Sequence, residues 1–261
     1  MNRSGRKSIL FLGYDKSETR IIDELESRNC LVTHHHGPVD EISNNLDLII
    51  SFGYRHIIRN DVLNNSTVPI LNLHMSYLPW NKGAHPNFWS FWDNTPSGIT
   101  IHKIDSGIDT GPIIFQKIFE FDEKRETFRS TYNKLHTELE DLFVLNIDRL
   151  INFEFELKIQ RGTGTFHHKK QLPKEFAGWD AKIHDEIKRL VNLGFNPHNE
   201  LLDIINQIEK ARSLNNVNWM NLLRIVAVMA PEKLAEITSK INDSDNQISE
   251  LFKQLSNRNK F

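Results

Sequence analysis

Asn72 and His74 are polar residues at the end of a mostly apolar run, residues 68–74. If this run is a β-strand, side chains two residues apart point the same way, so the amide and the imidazole share one face. An asparagine amide can donate a hydrogen bond to a developing oxyanion, and histidine is the usual acid or base near neutral pH. By themselves, an asparagine and a histidine at a strand end are more often structural or solvated than catalytic.

Asp109 is the second candidate, in a loop where Gly107 and Gly111 stand on either side of it. The loop separates two runs with β character. A carboxylate at this place can orient a histidine and stabilise its protonated form. Taken alone, the loop is an ordinary turn, because aspartate and glycine are common turn residues.

The elements that must position these residues follow from the hydrophobic pattern of the first 120 residues. Short apolar runs alternate there with amphipathic runs of helical period, which predicts a doubly wound, Rossmann-like α/β core with a mostly parallel sheet. The expected strands are residues 9–12, 30–33, 47–51, 68–74, 98–104 and 113–121. Ligands bind at the carboxyl ends of such strands, so the site is expected in the loops after Ser51, His74 and Ile104.

The rest of the chain predicts a different organisation. A long amphipathic helix covers residues 126–150, and two β-prone runs then flank a loop that contains glycine. This pattern is typical of a β-hairpin, and the pattern beyond it is helical. The predicted domains are an α/β catalytic core at 1–152, a β-hairpin at 153–175 and a helical C-terminal tail at 176–261.

The composition argues against several classes of protein. The 261 residues carry 32 Lys and Arg against 34 Asp and Glu, a net charge of −2, which disfavours a nucleic-acid partner. The single cysteine, Cys30, excludes an internal disulfide framework and fits a cytoplasmic protein. No apolar run approaches the roughly 20 residues of a membrane span, so no membrane association is predicted. Residues 34–36 are consecutive histidines that would alternate faces on a strand, so no metal site is predicted.

The two motifs occur in one chain, and the second begins about thirty residues after the first. Asn-x-His-x-Ser-x-Leu-Pro starts at Asn72, and Asp-x-Gly-x-Asp-Thr-Gly starts at Asp105. This combination resembles the N10-formyltetrahydrofolate-dependent formyltransferases, over roughly residues 47–155. The resemblance implies that Asn72, His74 and Asp109 are catalytic, with Asn72 and a protonated His74 stabilising the oxyanion.

The resemblance also implies a folate pocket and no metal. N10-formyltetrahydrofolate would be the co-substrate and would leave as tetrahydrofolate. The residues implied to contact it lie in two loops and are Phe52, Gly53, Tyr54, Ile104, Asp105 and Ile108.

Within the family, two stretches, residues 51–56 and 82–89, look like the branch that formylates aminosugars on nucleotides. Lys82 could meet a pyrophosphate or be a solvated loop lysine, and Phe166 could stack on a base or pack in the hairpin. The residues expected to bind the sugar nucleotide are Ser76, Lys82, Gly83, His85, Phe166 and His167.

The expected acceptor is therefore the amine of a nucleotide-linked 4-amino-4,6-dideoxysugar, first of all a dTDP-linked one, used for a surface O-antigen polysaccharide. The alternatives are a phosphoribosylglycinamide formyltransferase and an inactive homologue that only binds the sugar nucleotide. The apolar residues of the tail would be covered in a homodimer joined through the region after Asn152.

Overall fold

A computed structural model describes residues 5–162 and 164–195, together with two isolated helical positions, Lys233 and Ser239. The chain divides into two compact units, residues 1–197 and residues 198–261. Apart from Lys233 and Ser239, the second unit and the predicted helical tail beyond residue 195 lie outside the described residues.

The central sheet has six strands in the order β2-β1-β3-β4-β6-β7. The first four strands in that order are parallel, whereas β6 and β7 are antiparallel to their neighbours. This confirms the predicted α/β core with a mostly parallel sheet. The strands are β1 (Ser8–Gly13), β2 (Leu31–His35), β3 (Leu48–Phe52), β4 (Ile70–His74), β6 (Ser97–Lys103) and β7 (Ile113–Phe119), and a short β5 (Lys82–Gly83) lies outside this sheet.

Helices cover both faces of the sheet. They are α1 (Ile21–Ser27), α2 (Asn60–Asn65), α3 (Pro86–Trp92), α4 (Phe128–Leu145), α5 (Ile147–Ile151) and α6 (Ile183–Asn192). The long predicted helix is thus two helices that meet at Asn146, which caps the end of α4 and the start of α5. A capping box between Thr127 and Ser130 sets the start of α4, since each side-chain oxygen accepts a hydrogen bond from the backbone N–H of the other residue.

The strands alternate their side chains between two apolar layers. Phe11 and Ile50 pack with α1 and α4 on one face, and Leu12 and Ile49 pack with α2 on the other. Strands that are buried on both faces read as continuous apolar runs, which is why the sequence pattern found them.

The direction of β6 differs from the expectation. It runs antiparallel to β4 and pairs Asn72 with His102, so its last residues lie beside the start of β4 rather than at the carboxyl edge. The loop from residue 104 to residue 112 nevertheless brings Asp109 to the side chain of Asn72.

The predicted β-hairpin does not form. Phe166–His167 (β8) pairs in parallel with β5, and Lys158 makes an antiparallel bridge to Ile113 at the start of β7. The physical reason is that β7 and β5 each present an edge with unpaired backbone groups, and the two runs pair with those edges instead of with each other.

The boundary predicted at residue 176 is also wrong. Residues 172–195 cover the aromatic face of α3, where Phe176, Ile183 and Leu190 pack against Phe88 and its neighbours. This segment therefore belongs to the same compact unit as the sheet. The segment before it leaves Leu157 and Ile159 exposed, and the predicted homodimer through this region stays a prediction.

None of the helices in the described part of the chain is long and apolar enough to span a bilayer.

Candidate active site

Four polar side chains meet beside the carboxyl half of β4. Asn72 and His74 come from β4, His102 from β6 and Asp109 from the loop that follows β6. The sequence predicted three of them, and the structure brings those three together. We call Asn72, His74, His102 and Asp109 the catalytic cluster, because a catalytic role is predicted for three of them from the sequence.

Asp109 is the centre of this cluster. Its Oδ1 accepts a hydrogen bond from Asn72 Nδ2 at 3.1 Å, and its Oδ2 accepts one from the backbone N–H of Gly83 at 2.8 Å. Burial by itself would raise the pKa of Asp109. The neighbouring His74 and His102 and the Gly83 hydrogen bond outweigh burial and hold the pKa well below its ordinary value. Asp109 is therefore an anion throughout the neutral range.

His74 lies with its Nε2 between two acceptors, the carbonyl oxygen of Asn81 at 3.2 Å and Asp109 Oδ2 at 3.6 Å. Because both neighbours only accept, Nε2 carries a hydrogen and donates it. Burial lowers the pKa of His74 below its ordinary value, against the opposing effect of Asp109. The resting imidazole is therefore neutral at neutral pH. A protonated His74 was predicted from the sequence.

His102 is a member of the cluster that sequence reasoning missed. Its Nδ1 donates to the carbonyl oxygen of Lys103 at 3.0 Å, which leaves Nε2 to accept from Asn72 Nδ2 at 3.1 Å. A histidine that follows Ile99 and Ile101 in a predicted strand was the available signal. The sequence did not show which residue His102 contacts, because that depends on the antiparallel register that places it opposite Asn72.

The cluster combines an amide donor, a neutral imidazole and a buried carboxylate. The amide uses its two N–H groups on Asp109 and His102, and it can stabilise a developing oxyanion when one of them turns to the substrate. The cluster can also accept a proton on the imidazole, because the carboxylate 3.6 Å away stabilises the imidazolium that forms. The arrangement is suited to acyl transfer with proton movement.

The first loop predicted to contact folate lies at the ends of β1 and β3. The side chain of Phe52 is fully buried in the core, and its carbonyl oxygen accepts from the N–H of Tyr14 at 2.9 Å. Gly53 has a φ of 67°, and the ring of Tyr14 occupies the space that a Cβ would need. The Tyr54 hydroxyl donates to Gly37 O at 2.8 Å. Any folate contact from Phe52 would therefore come from its backbone.

The second predicted folate loop is held by its own aspartate. The Asp105 carboxylate accepts from the N–H of Gly107 at 3.0 Å and from Thr110 Oγ1 at 2.6 Å, so it shapes the loop. Ile104 packs in the apolar layer beside α2, whereas Ile108 is exposed. Of the six predicted folate contacts, Asp105 and Ile108 are exposed.

The residues predicted to bind sugar nucleotide divide into two groups. Lys82, Gly83 and His85 are half-buried in the segment that carries β5, next to the catalytic cluster through the Gly83–Asp109 hydrogen bond. Ser76 is buried, and its hydroxyl has no hydrogen-bond partner within the described residues. Its place in the structure offers no support for contact with a ligand.

His167 is buried as well. Its Nε2 lies 2.7 Å from Asp93 Oδ2, and its ring stacks on Trp89 with 3.9 Å between ring centroids. These contacts hold the imidazole inside the protein, and its Nδ1 is buried without a hydrogen-bond partner among the described residues, so the role in substrate binding stays a prediction. Phe166 is half-buried beside His168, with a ring-centroid distance of 4.6 Å.

The consecutive histidines do not converge. His34 Nε2 forms a hydrogen bond with the carbonyl oxygen of Gly13, and His35 Nε2 forms one with the carbonyl oxygen of Pro38. Among the described residues no group of three or more His, Cys, Asp or Glu is placed to hold a metal ion.

Comparison with known proteins decides the family. The Formyl transferase family model matches residues 38–147. The formyltransferase PseJ from Anoxybacillus kamchatkensis is 40% identical with a TM-score of 0.63, and the match covers 68% of this chain and 96% of that one. The chain belongs to the formyltransferase family.

Curated relatives match this formyltransferase over shorter stretches. The methionyl-tRNA formyltransferase of Lachnospira eligens is 29% identical over 155 residues, 59% of this chain and 48% of that protein. The bifunctional polymyxin resistance protein ArnA of Wigglesworthia glossinidia brevipalpis is 37% identical over 90 residues, 34% of this chain and 14% of ArnA. The formyltransferase thus spans half or less of the length of these curated relatives.

Proposed function

We propose that this formyltransferase moves the formyl group of N10-formyltetrahydrofolate to the 4-amino group of a nucleotide-linked 4-amino-4,6-dideoxysugar. One observation carries the proposal: the 40% identical PseJ was crystallised with UDP-4,6-dideoxy-4-formamido-L-AltNAc and tetrahydrofolate. The arrangement of the catalytic cluster supports it, because acyl transfer needs an oxyanion donor and a proton acceptor in one place.

The reaction follows from the chemistry of these groups. The neutral sugar amine attacks the formyl carbon, and the oxygen that becomes negative accepts a hydrogen bond from an Asn72 N–H that turns away from Asp109 or His102. The nitrogen that attacks loses its proton to neutral His74, directly or through water, and Asp109 stabilises the imidazolium. The same proton then passes to N10 of the folate as the carbon–N10 bond breaks. The products are the formamido sugar and tetrahydrofolate.

The acceptor's pyrophosphate needs cations near the catalytic cluster. Pairing of β5 with β8 brings basic residues to one edge, which we call the basic edge. Its residues are Lys82, His85, His168, Lys169 and Lys170. Burial and the positive charge of Lys169 lower the pKa of His85, which indicates that the two side chains lie near each other. We propose that this edge holds the diphosphate, with Gly83 linking it to Asp109.

The nucleotide is the open part of the proposal. The product bound to PseJ carries UDP, so we propose a UDP-linked acceptor as the first substrate to test. The dTDP-linked sugar predicted from the sequence is the competing substrate. A role in surface polysaccharide synthesis is part of the same proposal, since an N-formylated sugar nucleotide is a precursor of that kind.

A mass-spectrometric assay tests the function. Purified protein and N10-formyltetrahydrofolate are incubated separately with UDP- and dTDP-linked 4-amino-4,6-dideoxysugars, glycinamide ribonucleotide and methionyl-tRNA. We expect a formylated product from a sugar nucleotide and none from the protein with His74→Ala. Higher kcat/KM for glycinamide ribonucleotide would favour the phosphoribosylglycinamide formyltransferase. Binding of a sugar nucleotide without transfer to any acceptor would identify an inactive homologue.

A further inference from the structure

We propose that Gln160 is a positioning residue that holds the loop of Asp109 in the shape the reaction needs. The inference rests on the proposed function. Gln160 Nε2 donates to the carbonyl oxygens of Asp109 and Gly111, each at 2.8 Å. Within the described residues it supplies the side-chain donors to both carbonyls, on either side of Thr110.

The loop needs support from outside itself. Asp109 has a φ of 52°, in the left-handed region that residues other than glycine rarely adopt. Such a backbone persists where the surrounding structure fixes it. Gly111 lies so close to the carbonyl oxygen of Lys103 that a Cβ would be 1.8 Å from it. The carboxylate of Asp109 therefore depends on a narrowly defined backbone path.

Gln160 reaches the loop from a segment that is itself anchored. The backbone of Lys158 exchanges two hydrogen bonds with Ile113, at 2.7 Å and 2.8 Å. This bridge fixes the chain two residues before Gln160. The Oε1 atom of Gln160 is buried and has no donor partner among the described residues. The side chain thus buries an acceptor at a cost while both of its N–H groups serve the Asp109 loop.

Loss of the Gln160 hydrogen bonds should therefore lower kcat rather than weaken the binding of either substrate. Asp109 must lie 3.6 Å from His74 Nε2 to stabilise the imidazolium, and the other groups facing that ring are His102 and the carbonyl oxygen of Asn81. A loop that relaxes by a fraction of an ångström weakens this contact. The predicted folate contacts Ile104, Asp105 and Ile108 precede Asp109 in the same loop, but the Asp105 carboxylate holds that part of the loop through its own hydrogen bonds to Gly107 and Thr110.

The first experiment compares a variant of equal size that lacks the amide with a smaller variant that keeps it. Gln160→Leu keeps the volume and removes both donors, and Gln160→Asn keeps the amide on a shorter stem. We expect kcat to fall about 10- to 100-fold for Gln160→Leu, the scale of a small misplacement in an active site. KM for both substrates should stay within about two-fold, and Gln160→Asn should be intermediate. Glu156→Gln, an exposed change in the same segment, is the control and should have wild-type kcat.

A double-mutant cycle separates positioning from general destabilisation. In an Asp109→Asn background, Gln160→Leu should lower kcat by less than about three-fold, because the group it positions is already gone. Full additivity of the two losses would overturn the proposal, as would a wild-type kcat for Gln160→Leu alone.

A second measurement does not depend on turnover. Titration of the His74 imidazole by NMR, assigned with His74→Gln, should show a lower pKa in Gln160→Leu than in the wild type, because the carboxylate has moved away. An unchanged pKa would overturn the positioning role. If the wild-type protein transfers formyl to none of the acceptors, the proposed function fails, while this titration still decides the role of Gln160.

Discussion

The catalytic cluster and the basic edge lie side by side and are built in opposite ways. In the catalytic cluster, His74 is 8% and His102 1% exposed, and each member is hydrogen-bonded or ion-paired to another member. In the basic edge, Lys169 and Lys170 are exposed, and neither forms an ion pair with another described residue. The side chains of the first region contact one another before substrate arrives, whereas Lys169 and Lys170 of the second face solvent.

The difference indicates how the two regions act. Donors and acceptors that are held in place in advance need little reorganisation as charge develops in the reaction. Exposed cations on flexible stems, such as Lys169 and Lys170, instead gain a charged partner when a polyanion binds. Substitutions in the catalytic cluster should therefore change kcat, and substitutions in the basic edge should change KM for the acceptor.

The largest expected effects fall on the catalytic cluster. Asn72→Ala, His74→Ala and Asp109→Ala should each lower kcat by at least about 10²-fold, the scale for losing an oxyanion donor or an acid–base group. Steady-state rates with saturating folate measure this, and circular dichroism checks the fold. Ser106→Ala, an exposed change in the Asp109 loop, is the matched control. Near-normal kcat in two of the three variants would show that the site is elsewhere.

Effects of intermediate size are expected at the basic edge. Lys82→Ala and Lys169→Ala should each raise KM for the sugar nucleotide about 10-fold, since a charge-assisted hydrogen bond contributes about 1.5–3 kcal/mol. KM for the folate and kcat should change little. Lys174→Ala removes another exposed lysine close by in the sequence and should leave all constants unchanged. An equal rise in both KM values would mean that the edge does not distinguish the two substrates.

The burial of His74 predicts a dependence of stability on pH. Its pKa is lower in the folded protein than in the unfolded chain, so the unfolded chain takes up the proton first as the pH falls. The free energy of unfolding should decrease below about pH 6.5, with up to about 1.4 kcal/mol per pH unit from this group. Urea denaturation should show a shallower decrease for His74→Gln than for the wild type. Parallel curves would mean that folding does not lower the pKa of His74.

The smallest effect on activity is expected for His167, although its effect on stability is large. His167→Ala leaves the half-buried Asp93 carboxylate without this partner and removes the ring that stacks on Trp89, which should lower the free energy of unfolding by about 3–5 kcal/mol. At temperatures where the variant is folded, kcat and both KM values should stay within about two-fold of wild type. His184→Ala, an exposed histidine on α6, is the stability control. A KM rise confined to the sugar nucleotide would restore His167 to the acceptor site.

The features that could be predicted from the sequence are those that neighbouring residues determine. Asn72, His74 and Asp109 were found because each stands in a short motif whose residues are neighbours in the chain. The strands were found because burial on both faces makes them continuous apolar runs. Both signals come from residues that are close together in the sequence, and they are sufficient to predict the strands of the central sheet.

The parts that sequence reasoning missed depend on partners far apart in the chain. Phe166 pairs with Lys82, and Gln160 contacts the carbonyl oxygen of Asp109. His102 meets Asn72 only because β6 runs antiparallel. The pattern near residue 160 allowed a hairpin, and nothing local shows that the edges of β5 and β7 were the better partners.

Gly83 limits how the acceptor preference of this protein can be changed. Its N–H holds Asp109 at 2.8 Å, its φ is 88°, and a Cβ there would lie 2.3 Å from the carbonyl oxygen of His167. Any side chain at this position would disturb both strand pairing and the carboxylate at once. A mutant library aimed at new sugar substrates should therefore hold residue 83 fixed and vary its neighbours, where changes in recognition can accumulate without loss of turnover.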